Sequence, residues 1–190
     1  MNQPVKLYIK NMVCDRCKMV VNQQLQQLGL EPVSVELGEV VLSQELSAGQ
    51  KQVLDNRLQA LGFALIDDKK SRLIEQIKNL IVALVHHQKG ELKTKLSDYL
   101  SSHLNHDYNY LSTLYSEIEG TTIEKYYIAQ KIEKVKELLV YDELSLSEIA
   151  HQLNYSSVAY LSNQFKKVTG LTPSQFKNNR EHQRKPLDKL

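Results

Sequence analysis

The sequence holds only two cysteines in 190 residues, three positions apart in Asn11-Met12-Val13-Cys14-Asp15-Arg16-Cys17. Long apolar runs are missing as well. The longest, "LIVALV" at 80–85, is far too short to span a bilayer. No N-terminal stretch joins a charged start to the long apolar centre of a signal peptide. These absences predict a soluble, cytoplasmic chain with no membrane contact. Thiols stay reduced there, which disfavours a structural disulfide between Cys14 and Cys17. An excess of one charge is lacking too: 24 Lys+Arg against 22 Asp+Glu leave +2, so the chain is not a polycation. The imbalance is local. Residues 150–190 carry seven basic and two acidic side chains, whereas 1–70 carry eight of each. A positive end on a neutral body points to an anionic partner for the C-terminal part. The six histidines and the carboxylates are scattered without a nucleophile–base spacing, so no enzyme is expected.

What is present divides into two parts. "VKLYIK" (5–10) alternates Val5, Leu7 and Ile9 with Lys6, Tyr8 and Lys10, the period of a half-buried strand. After the cysteine loop, Cys17, Val21, Leu25 and Leu28 recur at helical spacing, and Gly29 closes that helix. "PVSVELGEVVL" (32–42) reads as two strands broken at Gly38-Glu39. A second amphipathic helix follows over 47–62, with Leu54, Leu58 and Leu61 on one side, and "FALI" (63–66) is a last strand. The order β-α-β-β-α-β is the ferredoxin-like, split βαβ arrangement. It places Cys14 in the loop leaving the first strand and Cys17 in the first turn of the next helix, where free N–H groups and the helix dipole favour thiolate. Two thiolates at i and i+3 can converge on one soft ion, with Cu(I), Zn(II), Cd(II) and Hg(II) all open. A thioredoxin-type redox pair also uses Cys-x-x-Cys beside a βαβ pattern, but that fold needs more residues than this segment has.

On this loop the chain resembles the heavy-metal-associated domain of copper chaperones and metal-transporting ATPases, over roughly residues 4–68. That family's loop usually reads Gly-Met-x-Cys-x-x-Cys; Met12, Cys14 and Cys17 match it, and Asn11 stands in place of the glycine. "LGF" (61–63) matches the step before the family's last strand and implies that Phe63 lies near the site. The resemblance implies that Cys14 and Cys17 hold a metal, Cu(I) first among the candidates.

Beyond a short "DDKK" (67–70), with no Gly/Ser/Pro linker, the stretch 71–87 is strongly apolar, with Leu73, Ile77, Leu80 and Leu84 as one stripe. His86 and His87 at its end read as a solvated last turn. An internal repeat follows at an offset of 50: Tyr110/Tyr160, Leu111/Leu161, Ser112/Ser162, Gly120/Gly170 and Thr122/Thr172. In the second copy Ser145 and Glu148 form a capping box, Ile149 and Leu153 point inward, and Asn154 suits a left-handed turn. Ser156 is expected to cap the next helix, whose core stripe is Val158, Leu161, Phe165 and Val168. Ser157, Tyr160, Asn163, Gln164 and Lys167 are left on the outer face. This is a helix-turn-helix whose second helix suits the major groove, with Lys166 and Lys167 placed for phosphates.

The segment 144–177, "LSLSEIAHQLNYSSVAYLSNQFKKVTGLTPSQFK", resembles the DNA-binding domain of AraC-type transcription regulators, and the likeness extends from about 71 to 180. It implies seven helices: two helix-turn-helix units joined by a long helix over 123–140. The family's base-reading positions fall on Asn109, Ser112 and Thr113 in the first copy, and on Val158, Ala159, Tyr160 and Asn163 in the second. The first copy departs from the pattern, with Tyr115-Ser116-Glu117 where basic residues are usual, Ser101 for the small Ala, and Asp107 as a further negative charge. It is expected to bind DNA more weakly.

The whole reads as an α+β chain: a heavy-metal-associated, ferredoxin-like sensor at 1–70 and an AraC-type double helix-turn-helix domain at 71–190. The expected function is metal-responsive transcription regulation. Its partners are double-stranded DNA, the metal ion and a copper chaperone, and a metal shared between two chains would favour a homodimer. A metallochaperone or metal buffer with a protein-binding helical half, and a thiol-redox regulator, stay open as alternatives.

Overall fold

The structure is a computed structural model that describes residues 4–87, 94–178 and 185–190. The chain separates into two compact units, residues 1–79 and 80–190.

In the first unit the elements run β1 (Val5–Lys10), α1 (Asp15–Gln27), β2 (Pro32–Glu36), β3 (Glu39–Leu42), α2 (Ala48–Ala60) and β4 (Ala64–Ile66). The sheet order is β2-β3-β1-β4, with β1 antiparallel to both β3 and β4. The period-two pattern of β1 sends Leu7 and Ile9 to one face, where they meet Val40 and Leu42 of β3, Val21 and Leu25 of α1, and Leu54 and Leu58 of α2. Each of these aliphatic side chains contributes about 1.5–3 kcal/mol on leaving water. Ser47 caps α2 through a reciprocal box with Gln50. Leu61, expected inside, is the C-cap of α2 and is 47% exposed, because the backbone leaves helical geometry there and carries the side chain off the buried stripe.

The other side of the sheet receives the start of α3 (Lys69–Val82), whose residues up to Asn79 fall in this unit. The Arg72 guanidinium lies 4.8 Å from the centre of the Tyr8 ring, and its Nε donates to the Ile66 carbonyl at 3.2 Å. Asn79 Nδ2 donates to the Leu37 carbonyl at 3.2 Å. The approach is close enough to demand glycine in the β2–β3 turn. Gly38 has φ +78°, and a Cβ built on it would meet Asn79 Nδ2 at 2.0 Å.

The second unit is helical: α4 (Leu96–Leu104), α5 (Tyr108–Glu119), α6 (Ile123–Tyr141), α7 (Leu146–Gln152), α8 (Val158–Thr169) and α9 (Pro173–Asn178), preceded by a π-helical turn at Ala83–His87. The predicted 50-residue repeat is visible in the caps. α5 and α8 are both twelve residues long, start after Asp107 and Ser157, and end at left-handed Gly120 and Gly170. Asn105 and Asn154 adopt φ +54° and +53° in the turns ahead of them. Ile132, Val135 and Leu139 of α6 pack with Ile149, Ala150 and Leu153 of α7, Leu161 and Phe165 of α8, and Phe176 of α9.

Polar groups are also buried here. His86 hydrogen-bonds Gln130 at 2.9 Å, and Gln130 Nε2 donates to the Tyr126 hydroxyl at 2.9 Å and to the Leu187 carbonyl at 3.2 Å. His86 is therefore not the solvated residue expected from sequence. Burial, opposed by its bond to Gln130, drives its pKa down to about 4, so it is neutral near pH 7.

Candidate functional site

Two constellations carry chemistry, one in each unit. In the second, the polar outer faces of α5 and α8 are the candidate nucleic-acid surface. Ser157 rather than Ser156 is the N-cap of α8: its Oγ accepts the Tyr160 N–H at 3.1 Å. The helix starts one residue later than expected, so part of this hydroxyl's bonding capacity goes to the cap. Val158 is half-buried in the first turn. Ala159, Tyr160, Asn163, Lys166 and Lys167 are exposed along one stripe. Gln164 is half-buried, and its Oε1 accepts the Tyr155 hydroxyl at 2.8 Å. Tyr155 in turn lies under Lys131, whose Nζ is 3.8 Å from the ring centre. Burial lowers the Lys131 pKa to about 8. Val168, placed in the core stripe by its spacing, is 48% exposed. Helical periodicity gives the direction of a side chain in the last turn, not whether another element meets it.

The first copy presents Asn109 and Thr113 exposed and Ser112 half-buried on α5. Asp107, noted in the sequence as an excess negative charge, is the N-cap: Oδ1 accepts the N–H of Asn109 at 2.8 Å and of Tyr110 at 3.4 Å. Its charge faces the positive end of α5, where it stabilises the helix. Tyr115 is buried. Glu117, exposed, occupies the position on α5 that Lys167 occupies on α8. The sequence reading missed the Lys131–Tyr155–Gln164 chain. Lysine in the middle of an amphipathic helix looks like a solvated residue, and only folding brings Tyr155 beneath it.

Residues 100–179 match the family described as "Helix-turn-helix domain". This part of the chain is a helix-turn-helix domain. Among curated proteins the chain is similar to the HTH-type transcriptional regulator YtdP of Bacillus subtilis, with 24% identity over 83% of this chain and 21% of that protein. It is also similar to the regulator YfiF of the same organism, with 28% identity over 72% of this chain and 46% of that protein. The chain thus spans less than half the length of these relatives. They are named as transcriptional regulators and not as enzymes, in keeping with the absence of a catalytic constellation in the sequence. Among solved structures, the C-terminal domain of AraT from Geobacillus stearothermophilus aligns with a TM-score of 0.49 at 24% identity, over 61% of this chain and all of that one. Among the described residues no helix is long and apolar enough to cross a membrane.

The second constellation lies outside residues 100–179. Cys14 is the N-cap of α1, and its carbonyl accepts the N–H groups of Cys17 at 3.0 Å and Lys18 at 3.3 Å. The two Sγ atoms are 3.4 Å apart, and both cysteines are half-buried. Met12 is fully buried in the core cluster of the unit, and Cys17 and Phe63 pack against that cluster. Burial pushes the Cys17 thiol up from its ordinary pKa, against a backbone hydrogen bond at Val13 that lowers it. The start of the helix therefore does not by itself leave Cys17 ionised, as the sequence reading expects; desolvation outweighs it.

The thiol pair suits a soft ion. Two thiolates each about 2.3 Å from one metal stand roughly 3.8 Å apart at a tetrahedral angle and about 4.6 Å apart when two-coordinate and linear, so the pair must open from 3.4 Å by side-chain rotation to hold an ion. Among the described residues no group of three or more His, Cys, Asp or Glu side chains gathers where it could hold a metal. The pair would therefore serve a two-coordinate ion or share one with another molecule.

Proposed function

We propose that this chain is a metal-responsive transcription regulator, in which Cys14 and Cys17 bind a soft ion and thereby alter operator binding by the helix-turn-helix domain. The observation that carries the reading is the 3.4 Å pair of thiols on a β1–α1 loop, in one chain with a helix-turn-helix domain. The β-α-β-β-α-β order and the buried Met12 agree with the resemblance to heavy-metal-associated domains. Residues 1–70 then act as a ferredoxin-like sensor and 71–190 as the DNA-binding half. Two thiolates without a third ligand among the described residues favour Cu(I) over Zn(II), which prefers four ligands. Cd(II) and Hg(II) share the same donor chemistry. A homodimer sharing one ion, and delivery by a copper chaperone, follow from this reading, as does a cytoplasmic location.

On DNA, α8 is the principal reader. Ala159, Tyr160 and Asn163 face base edges, Ser157 and Val158 lie at the groove entry, Gln164 supports from the side, and Lys166 and Lys167 hold phosphates. Asn109, Ser112 and Thr113 of α5 make the weaker second contact.

The same 3.4 Å spacing also suits a disulfide, so redox sensing is the second reading. An anaerobic Cu(I) titration against a competing chelator, paired with a DNA mobility-shift assay, separates the two. The metal reading expects tight binding of about one ion per site and a DNA response to Cu(I) in the presence of reductant. A response to oxidant with chelator present, and none to Cu(I), would replace it by the redox reading.

A further inference from the structure

Asn11 opens the cysteine loop in an unfavourable conformation. Its φ is +71°, in the left-handed region that residues other than glycine seldom enter. Two hydrogen bonds hold it there. Its Nδ2 donates to the Gly62 carbonyl at 2.8 Å, and its backbone N–H donates to Glu75 Oε1 at 2.8 Å. Glu75 belongs to α3 and is only 6% exposed. On its carbonyl side, Asn11 O receives the Cys17 thiol at an Sγ···O distance of 4.0 Å. One residue therefore joins a candidate ligand to a carboxylate on α3. Burying a carboxylate is costly, and the cost is offset only by strong bonds to it. One such bond comes from the amide of the loop.

The geometry points to Glu75 as a positioning residue that ties the Cys14–Cys17 loop to α3 and makes their arrangements interdependent. This rests on the metal-binding reading above. An ion on Cys17 takes the place of the hydrogen that the thiol offers to the Asn11 carbonyl, so that contact is lost on loading. Asn11 then has one constraint fewer in its left-handed state, and the bond from its N–H to Glu75 weakens with it. Coupling is reciprocal: the Glu75 bond, strongest in the metal-free arrangement, lowers affinity for the ion. The negative charge of a Cu(I)–dithiolate acts in the same direction against the Glu75 carboxylate.

The test uses the full chain under anaerobic conditions. Heteronuclear NMR follows the Asn11 amide, and chelator competition measures Cu(I) affinity, for wild type and Glu75→Gln. Loading wild type should shift the Asn11 amide resonance and speed its hydrogen exchange. Glu75→Gln keeps an acceptor oxygen but loses its charge, so it should bind Cu(I) at least about fivefold more tightly, the lower end of ordinary allosteric coupling, and its metal-free Asn11 amide should exchange faster than that of wild type. If wild type does not bind Cu(I), the metal reading falls and this inference with it. If it binds while the Asn11 amide stays unmoved and protected, the inference alone falls, and that measurement needs no variant. Equal or weaker Cu(I) binding by a folded Glu75→Gln protein overturns it too.

Discussion

Glu117→Lys tests how the two helix-turn-helix units share DNA. Glu117 and Lys167 are each the tenth residue of a twelve-residue helix, between equivalent caps. Both are exposed. If α5 and α8 approach DNA in the same way, a lysine at this position neutralises one phosphate and releases its counterions. That changes the slope of log affinity against log salt by about 0.9, which at about 0.1 M monovalent salt is worth roughly eightfold in affinity. Lys167→Ala should lose this amount. Glu117→Lys should gain it, and somewhat more from relief of repulsion. Both effects should be nearly the same on operator and on unrelated DNA, because phosphates carry no sequence information. Fluorescence anisotropy with a labelled duplex, from about 0.05 to 0.2 M salt, measures both slopes. An unchanged slope in Glu117→Lys beside a reduced one in Lys167→Ala would mean that α5 stands away from the backbone, refuting the symmetric placement. No change in either would remove the basic end of α8 from the interface.

Lys131, with its pKa near 8 against an ordinary 10.5, binds fewer protons folded than unfolded between those values. Stability should therefore rise with pH across that window, by at most about 3 kcal/mol and less where stacking on Tyr155 compensates the charge; Lys131→Met should abolish the rise in a denaturant series, and an identical rise in the variant would refute the assignment. Gly38→Ala should cost about 2 kcal/mol or more in thermal unfolding, since the new Cβ meets Asn79, whereas Gly29→Ala, at φ +68° with nothing within 4 Å, should cost only about 1. Cys14→Ser and Cys17→Ser should each abolish tight Cu(I) binding in chelator competition while leaving stability within about 1 kcal/mol of wild type, because the core beneath the loop is apolar. A variant that loses its fold would instead show the pair to be structural.

The period-two run of β1, the helical spacing of Val21 and Leu25, the Gly38 turn and the 50-residue repeat were all legible in the sequence, because each is a local pattern tied to one backbone geometry. The capping box at Ser145 and the left-handed Asn154 belong to the same class. Legibility ended where an outcome depended on a distant partner. His86 is half-buried because Gln130, forty-four residues away, comes to meet it, and Lys131 is desolvated because Tyr155 folds beneath it. Asp107 looked like an electrostatic defect, although its carboxylate caps the helix that follows.

The sequence by itself determined the element order, the placement of Cys14 and Cys17 between the first strand and helix, and the polar outer face of α8. All follow from the chain's own periodicity and from side-chain types within a turn or two of each other. Tertiary structure alone decided that the two thiols stand 3.4 Å apart and half-buried, and that burial raises the pKa of Cys17 where the helix start favours ionisation. It alone brought the Glu75 carboxylate to the amide of Asn11, sixty-four positions earlier in the chain. Desolvation and hydrogen bonding act between groups that meet in space, and the distance along the chain carries no record of that meeting.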